Sequence, residues 1–336
     1  MTISTIITKQ LGIKHPIIQG GMMHVGLPVL AAAVSNAGGL GIITGLTQET
    51  PEKLRLAIRQ CRTLTKNPFA VNLTFLPAMN PPPFSEYAQV IVDENVRIVE
   101  TAGGPEAAPI ISFLKKNNVY VIHKCTSIRH ALAAQDRMKV DAISMDCFEC
   151  AGHPGETDIG GLVLLPKAKE ALKIPFIASG GFANGRGLAA ALAFGAAGIN
   201  CGTLFMATEE APIHRNIKDV IVQSGELDTI HLFRTMNNTA RVYKNKPAME
   251  AVAIENRPGG AKFEDIRHLV SGARGKTVYQ TGDKDAGVWT AGISMALIKE
   301  IKPCKQLIED IVAEAEECIF YTKVINELKK QTLSKL

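Results

Sequence analysis

Residues 176–203 constrain the fold of this chain more than any other stretch. They open with Phe-Ile-Ala-Ser-Gly-Gly, continue through an alanine-rich segment at 188–194, and close with Gly-Ile-Asn-Cys-Gly-Thr. The order is strand, glycine turn, helix, strand, glycine turn. Such a unit places both turns on one edge of a parallel sheet, where free backbone N–H groups and a helix N-terminus favour an anion. In barrels of eight βα units, the loops after the seventh and eighth strands build the usual phosphate site.

Six earlier strands are legible. Short apolar runs at 16–21, 40–44, 69–75, 98–103, 119–125 and 141–146 alternate with helical patterns at 28–36, 51–64, 85–95, 105–116, 127–138 and 161–172. Eight strands separated by helices predict an α/β fold, a TIM (β/α)8 barrel. An open dinucleotide-binding sheet is the alternative, but residues 181–187 lack the G-x-G-x-x-G spacing and no acid ends a strand about 20 residues later. Residues 76–84 hold four prolines and read as a stiffened loop. The βα rhythm stops at 211. The expected division is a barrel from 1–210 plus 298–336, including a long C-terminal helix at 307–328, and a mainly helical insertion at 211–297 that could cap the mouth.

The 336 residues exceed the length a single barrel needs, leaving room for that insertion. A net charge of +5 is mild, and the basic residues are scattered, which argues against nucleic-acid binding. The seven cysteines are odd in number and widely spaced, so a reducing, cytoplasmic setting is expected. Cys147 and Cys150 have the spacing of half a zinc site, but no second pair completes it, and no metal is expected. No run reaches the length of a membrane span, and the N-terminus lacks the pattern of a secretion signal.

In a βα barrel the chemistry belongs to the loops after the strands. Gly21, Met22 and Met23 follow the first strand, Asn72 and Thr74 close the third, and Lys124 closes the fifth. Ala151, Gly152 and His153 follow the sixth, while Ser179, Gly180, Gly181, Cys201, Gly202 and Thr203 follow the last two. This set suits a flat aromatic cofactor ending in phosphate. Amide-rich turns would take the phosphate, Asn72 would pair with ring heteroatoms, and Lys124 would face a ring that gains negative charge. Flavin mononucleotide (FMN) meets all three conditions. A buried Lys124 needs an acid or a ligand, and Asp146 and Glu149 are the expected protein partners. No nucleophile elbow supports a Ser-His-acid triad.

The motifs His15-Pro-Ile-Ile-Gln-Gly-Gly-Met22, Ala37-Gly-Gly-Leu40, Val71-Asn72, Cys150-Ala-Gly-His-Pro-Gly155, Ile177-Ala-Ser-Gly-Gly181 and Gly202-Thr203 span nearly the whole chain. The chain resembles the nitronate monooxygenase, or 2-nitropropane dioxygenase-like, superfamily. Within it, Gly21-Met-Met-His-Val-Gly26, Val121-Ile-His-Lys-Cys125 and Phe148-Glu-Cys-Ala-Gly-His-Pro-Gly155 are most similar to the bacterial NADH:quinone reductase branch. The resemblance implies an FMN-dependent oxidoreductase, with NADH as co-substrate passing hydride to the flavin and a quinone taking it up. Nitronate oxidation with O2 is the alternative, and enoyl-thioester reduction the third reading. Typical members carry Ala-Gly-Gly-His with the His as base, which makes His153 the candidate catalytic residue; here Ala151-Gly152-His153 is one glycine shorter. His24 and Phe84 also depart from the branch, which carries a polar or aromatic residue and a tyrosine there. The implied partners are small molecules, with a homodimer as the candidate assembly.

Overall fold

The computed structural model describes residues 3–75 and 81–333, with side chains as far as Phe320. Residues 76–80 of the proline-rich loop lie outside the described residues, as do 334–336; residues 329–333, expected as a polar tail, continue the C-terminal helix. Eight strands run parallel: β1 (Ile17–Gln19), β2 (Gly41–Thr44), β3 (Phe69–Phe75), β4 (Ile98–Gly103), β5 (Tyr120–Cys125), β6 (Ala142–Asp146), β7 (Phe176–Ser179) and β8 (Ile199–Cys201). Each pairs with its neighbour in sequence from β2 to β8, and β8 returns to β1. The circle closes through one bridge between Ile18 and Leu40, held by Gln19 N–H to Leu40 O and Leu40 N–H to Ile17 O, both at 2.9 Å. This is the expected (β/α)8 barrel.

Three of the outer helices begin at a polar capping residue. After a short α1 (Ile6–Leu11) come α2 (Pro28–Asn36), α3 (Pro51–Leu64), α4 (Phe84–Asp93), α5 (Ala108–Lys116), α6 (Ile128–Ala133), α7 (Gly161–Ala171) and α8 (Gly185–Ala193). Thr50, Ser127 and Asn184 each accept a hydrogen bond from a first-turn N–H of α3, α6 and α8. A polar N-cap of this kind is worth about 1 kcal/mol. Helix α4 starts at Phe84, with Pro83 before it, one residue earlier than the sequence pattern suggests.

The barrel interior is layered. Ile18, Leu40, Ile42, Ala70, Ile98, Ile122, Ala142 and Ile177 fill its lower half, and Ile7 and Leu11 of α1 join the same cluster. Above them, towards the C-terminal ends of the strands, the inward positions turn polar: Asn72, Glu100, Ser144 and Asn200 are all buried. Buried polar groups must find partners within the protein or in a ligand. That layer floors the mouth.

Past β8 lie α9 (Thr203–Met206), α10 (Arg215–Gln223), the antiparallel strands β9 (Thr229–Leu232) and β10 (Ala240–Tyr243), α11 (Lys246–Glu255), α12 (Phe263–Val270) and α13 (Gly272–Thr281). The segment is mainly helical but carries a hairpin that residue periodicity does not signal. Leu232, Val242, Ala248, Ala251, Ile266 and Leu269 give it an apolar cluster of its own. The hairpin reaches the barrel mouth, where Arg241 and Gly152 exchange backbone hydrogen bonds. The chain then enters α14 (Cys304–Leu333), which lies across α8. Among the described residues, no helix is long and apolar enough to cross a membrane.

Candidate active site

The loops after the strands surround a cleft of two joined lobes, about 270 and 320 Å³. Gly21, Lys124, Ala151 and His153 belong to both. Met22, Met23, Gly152, Ser179, Gly180, Gly181, Cys201, Gly202 and Thr203 line the first lobe, and Asn72 and Thr74 line the second. Every residue assigned to the cofactor or to catalysis from the sequence therefore borders one of these two lobes.

The floor is organised by a residue that sequence reasoning missed. Glu100, on β4 and without exposed surface, accepts hydrogen bonds from Gly21 N–H at 2.9 Å, Asn72 Nδ2 at 2.8 Å and Asn200 Nδ2 at 2.8 Å. Thr74 Oγ1 in turn donates to Asn72 Oδ1 at 3.1 Å. Asn72 is thus already bonded within the floor. An acid placed mid-strand in Ile-Val-Glu-Thr-Ala was the available signal, because a charge inside a barrel must be paired.

Lys124 Nζ stands 3.2 Å from Asp146 Oδ2 and 3.8 Å from Glu100 Oε1. Burial disfavours its charge, but the two carboxylates outweigh that penalty and raise its pKa above the ordinary lysine value. Asp146 is the expected partner. Glu149 is not: it accepts from Gly161 N–H and so caps α7 instead.

The two late turns differ in role. Gly180 and Gly181 both adopt positive φ, 85° and 88°, which a side chain would resist. A Cβ on Gly180 would also lie 2.9 Å from Cys147 O. Among the described residues, the N–H groups of Gly180, Gly181 and Gly202 meet no protein acceptor. Opposite them, Gly292 N–H donates to Thr203 Oγ1 at 3.0 Å, bringing the segment before α14 against the turn. Unbonded amides converging on a cavity form a site for an oxyanion.

His153 stands exposed at the rim and lines both lobes. Desolvation by the surrounding walls lowers its pKa from 6.5, with Glu156 opposing. Glu156 is itself committed to Thr239, accepting from its N–H at 2.7 Å and from its hydroxyl. The second lobe also contains His130, whose Nε2 lies 3.3 Å from Nε2 of buried His123. With Cys125 these two form the one group of metal-ligand type among the described residues. Cys147 and Cys150 are buried free thiols, and burial pushes both pKa values up.

Comparison with known proteins agrees with this geometry. Residues 4–314 match the family model described as nitronate monooxygenase. A Rhodococcus jostii (strain RHA1) protein named (3aS,4S,5R,7aS)-5-hydroxy-7a-methyl-1-oxo-octahydro-1H-indene-4-carboxyl-CoA dehydrogenase is 30% identical, over 94% of this chain and 96% of its own. A Staphylococcus saprophyticus protein described as a probable nitronate monooxygenase is 29% identical, over 94% and 99%. Among solved structures, FabK from Thermotoga maritima superposes with a TM-score of 0.88 at 35% identity, covering 96% of this chain and all of that one. Nitroalkane oxidase from Streptomyces ansochromogenes gives 0.79 at 25%, covering 94% and 99%. The polar-floored cleft at the C-terminal ends of eight parallel strands, and a family match over most of the chain's length, place the protein among enzymes: it belongs to the nitronate monooxygenase family of flavin-dependent oxidoreductases.

Proposed function

We propose that the cleft holds FMN and that the protein is an NADH:quinone oxidoreductase. The unbonded N–H groups of Gly180, Gly181 and Gly202 suit the phosphate, and the positive φ values at the first two turn positions keep side chains out of its way. Lys124, held by Asp146 and Glu100, supplies a fixed positive charge beside the ring position. Asn72 and Thr74 offer polar atoms from β3. FMN in this place supplies a two-electron carrier that takes hydride from one substrate and returns it to the next.

The observation carrying the reading is that, among the described residues, no carboxylate hydrogen-bonds to His153, since Glu156 bonds to Thr239. A general base that abstracts a carbon-bound proton is ordinarily held by a third group. Hydride transfer between stacked rings needs no such base. One mouth would then serve both substrates in turn, with NADH, one proton and a quinone yielding NAD+ and quinol. The insertion at 211–297 acts in this reading as a cap on the barrel formed by 1–210 and 298–336. The expected result is that anaerobic mixing with NADH bleaches the bound flavin and a quinone restores its colour. A flavin that stays oxidised with NADH but bleaches with propionate 3-nitronate would overturn the proposal.

Nitronate oxidation is the second reading. The lowered pKa of His153, which keeps its ring neutral near pH 7, favours it. Under that reading His153→Asn lowers kcat/KM for nitronates at least about 100-fold; under the quinone-reductase reading the same change leaves NADH oxidation within a few-fold.

A further inference from the structure

A second cavity lies just outside the cleft. It encloses about 710 Å³, within the range of small-molecule sites, between the β1 and β2 loops and the helices α10 and α13. The partition from the cleft is thin: Thr47 Oγ1 donates to Met23 Sδ at 3.3 Å and accepts from His24 N–H at 3.0 Å. His24 turns there with φ of 65°, a conformation a histidine adopts against a steric penalty. Met23 lines the cleft and His24 lines the outer cavity.

The outer cavity is basic. Lys218 of α10 is only 6% exposed. Among the described residues its Nζ meets one acceptor, the backbone carbonyl of Glu209 at 3.0 Å. The nearby carboxylate of Glu210 is turned to Cys304 N–H, where it caps α14. Lys276 of α13 enters from the other wall, with exposed Glu49 3.8 Å away. Exposed Glu209 is the one acid among the lining residues, against Lys218, Lys276, His24 and His214. A nearly buried ammonium without a carboxylate is costly unless an anion joins it.

We propose that this cavity binds the adenosine diphosphate end of a substrate whose reactive end lies in the cleft, the diphosphate between Lys218 and Lys276. The proposal rests on the cleft being a redox site. NADH, NADPH and coenzyme A thioesters all carry this moiety, so the chemistry is shared and the source is decided by experiment. Leu27, Pro212 and Ile213 supply apolar wall for a purine.

The test uses the full chain with its flavin bound and ADP itself as the probe, by calorimetry and as an inhibitor. ADP should bind and compete with NADH. Lys218→Met should weaken ADP at least about tenfold, as expected for loss of a charge-assisted contact. Lys276→Gln, at an exposed position that leaves folding intact, should weaken it several-fold. KM for NADH should rise in both variants, while turnover of reduced nicotinamide mononucleotide, which lacks the adenosine half, should stay within twofold. Tighter binding of 2′-phosphoadenosine 5′-diphosphate would identify NADPH as the source, tighter 3′-phosphoadenosine 5′-diphosphate a coenzyme A thioester, and no gain over ADP itself NADH. No binding of ADP, or equal binding by wild type and both variants, overturns the proposal. Lysine-dependent binding of ADP with no bleaching by either reduced nicotinamide would leave the cavity assigned and the NADH reading refuted.

Discussion

Glu100 ties together three elements of the mouth, because its two oxygens take the Gly21 amide and the side-chain amides of Asn72 and Asn200. Replacing it with Gln would set one of its own N–H groups against donors and remove a charge facing Lys124. We expect Glu100→Gln to cost about 2–4 kcal/mol in chemical denaturation and to loosen flavin retention, measured by ultrafiltration. The outward neighbour His123 makes a different prediction. Burial, reinforced by His130, lowers its pKa from 6.5 to about 4. The folded protein therefore takes up fewer protons than the unfolded chain below pH 6.5. Stability should be unaffected by this group above that pH, fall as pH drops from 6.5 to 4, and level off beneath, for a total near ~3 kcal/mol. Urea midpoints across that window should show the slope, and His123→Gln should make it shallower, with His231, whose pKa also falls to about 4, keeping its own share. At this scale the sequence reveals which residues line the mouth, since position after a strand is enough. It does not reveal their pairing: Asp146 against Lys124 was legible from β-strand ends, whereas Glu149 turning to α7 depends on a loop path that spacing cannot specify.

Elements were legible where one period ran undisturbed. Helices α2 and α3 and strands β3 and β4 match the sequence pattern to the residue: proline or a polar cap starts each helix, β3 alternates apolar and polar residues from Val71 on, and β4 ends in glycine. The hairpin β9–β10 was not, since its residues 229–232 and 240–243 are short, half of them polar, and separated by a loop with φ positive at Phe233 and Asn237. Close packing of α8 on α14 rests on Gly185. A Cβ there would lie 2.5 Å from Ala315 N and from Ile311 O, both backbone atoms. Gly185→Ala should thus force the helices apart and cost about 2–3 kcal/mol, outweighing the helix propensity gained by alanine. Thermal denaturation would show it as a lowered midpoint without lost helicity at 20 °C.

For the molecule as a whole, the eight-fold count was the decisive inference, because alternating strands and helices admit few topologies. Closure itself was beyond the sequence, since it depends on one register between the first strand and the second. Seven joints of the barrel share at least two register pairs, and the joint between β1 and β2 has the single Ile18–Leu40 bridge. Amide hydrogens at Gln19 and Leu40 should exchange with deuterium sooner than those of β4 and β5. The strand on one side of that seam runs directly into Gly20, Gly21 and Met22. The loosest stave of the cask is therefore the one that carries part of the rim, and a brief parting there would widen the opening while drawing the Gly21 amide away from the Glu100 knot beneath it.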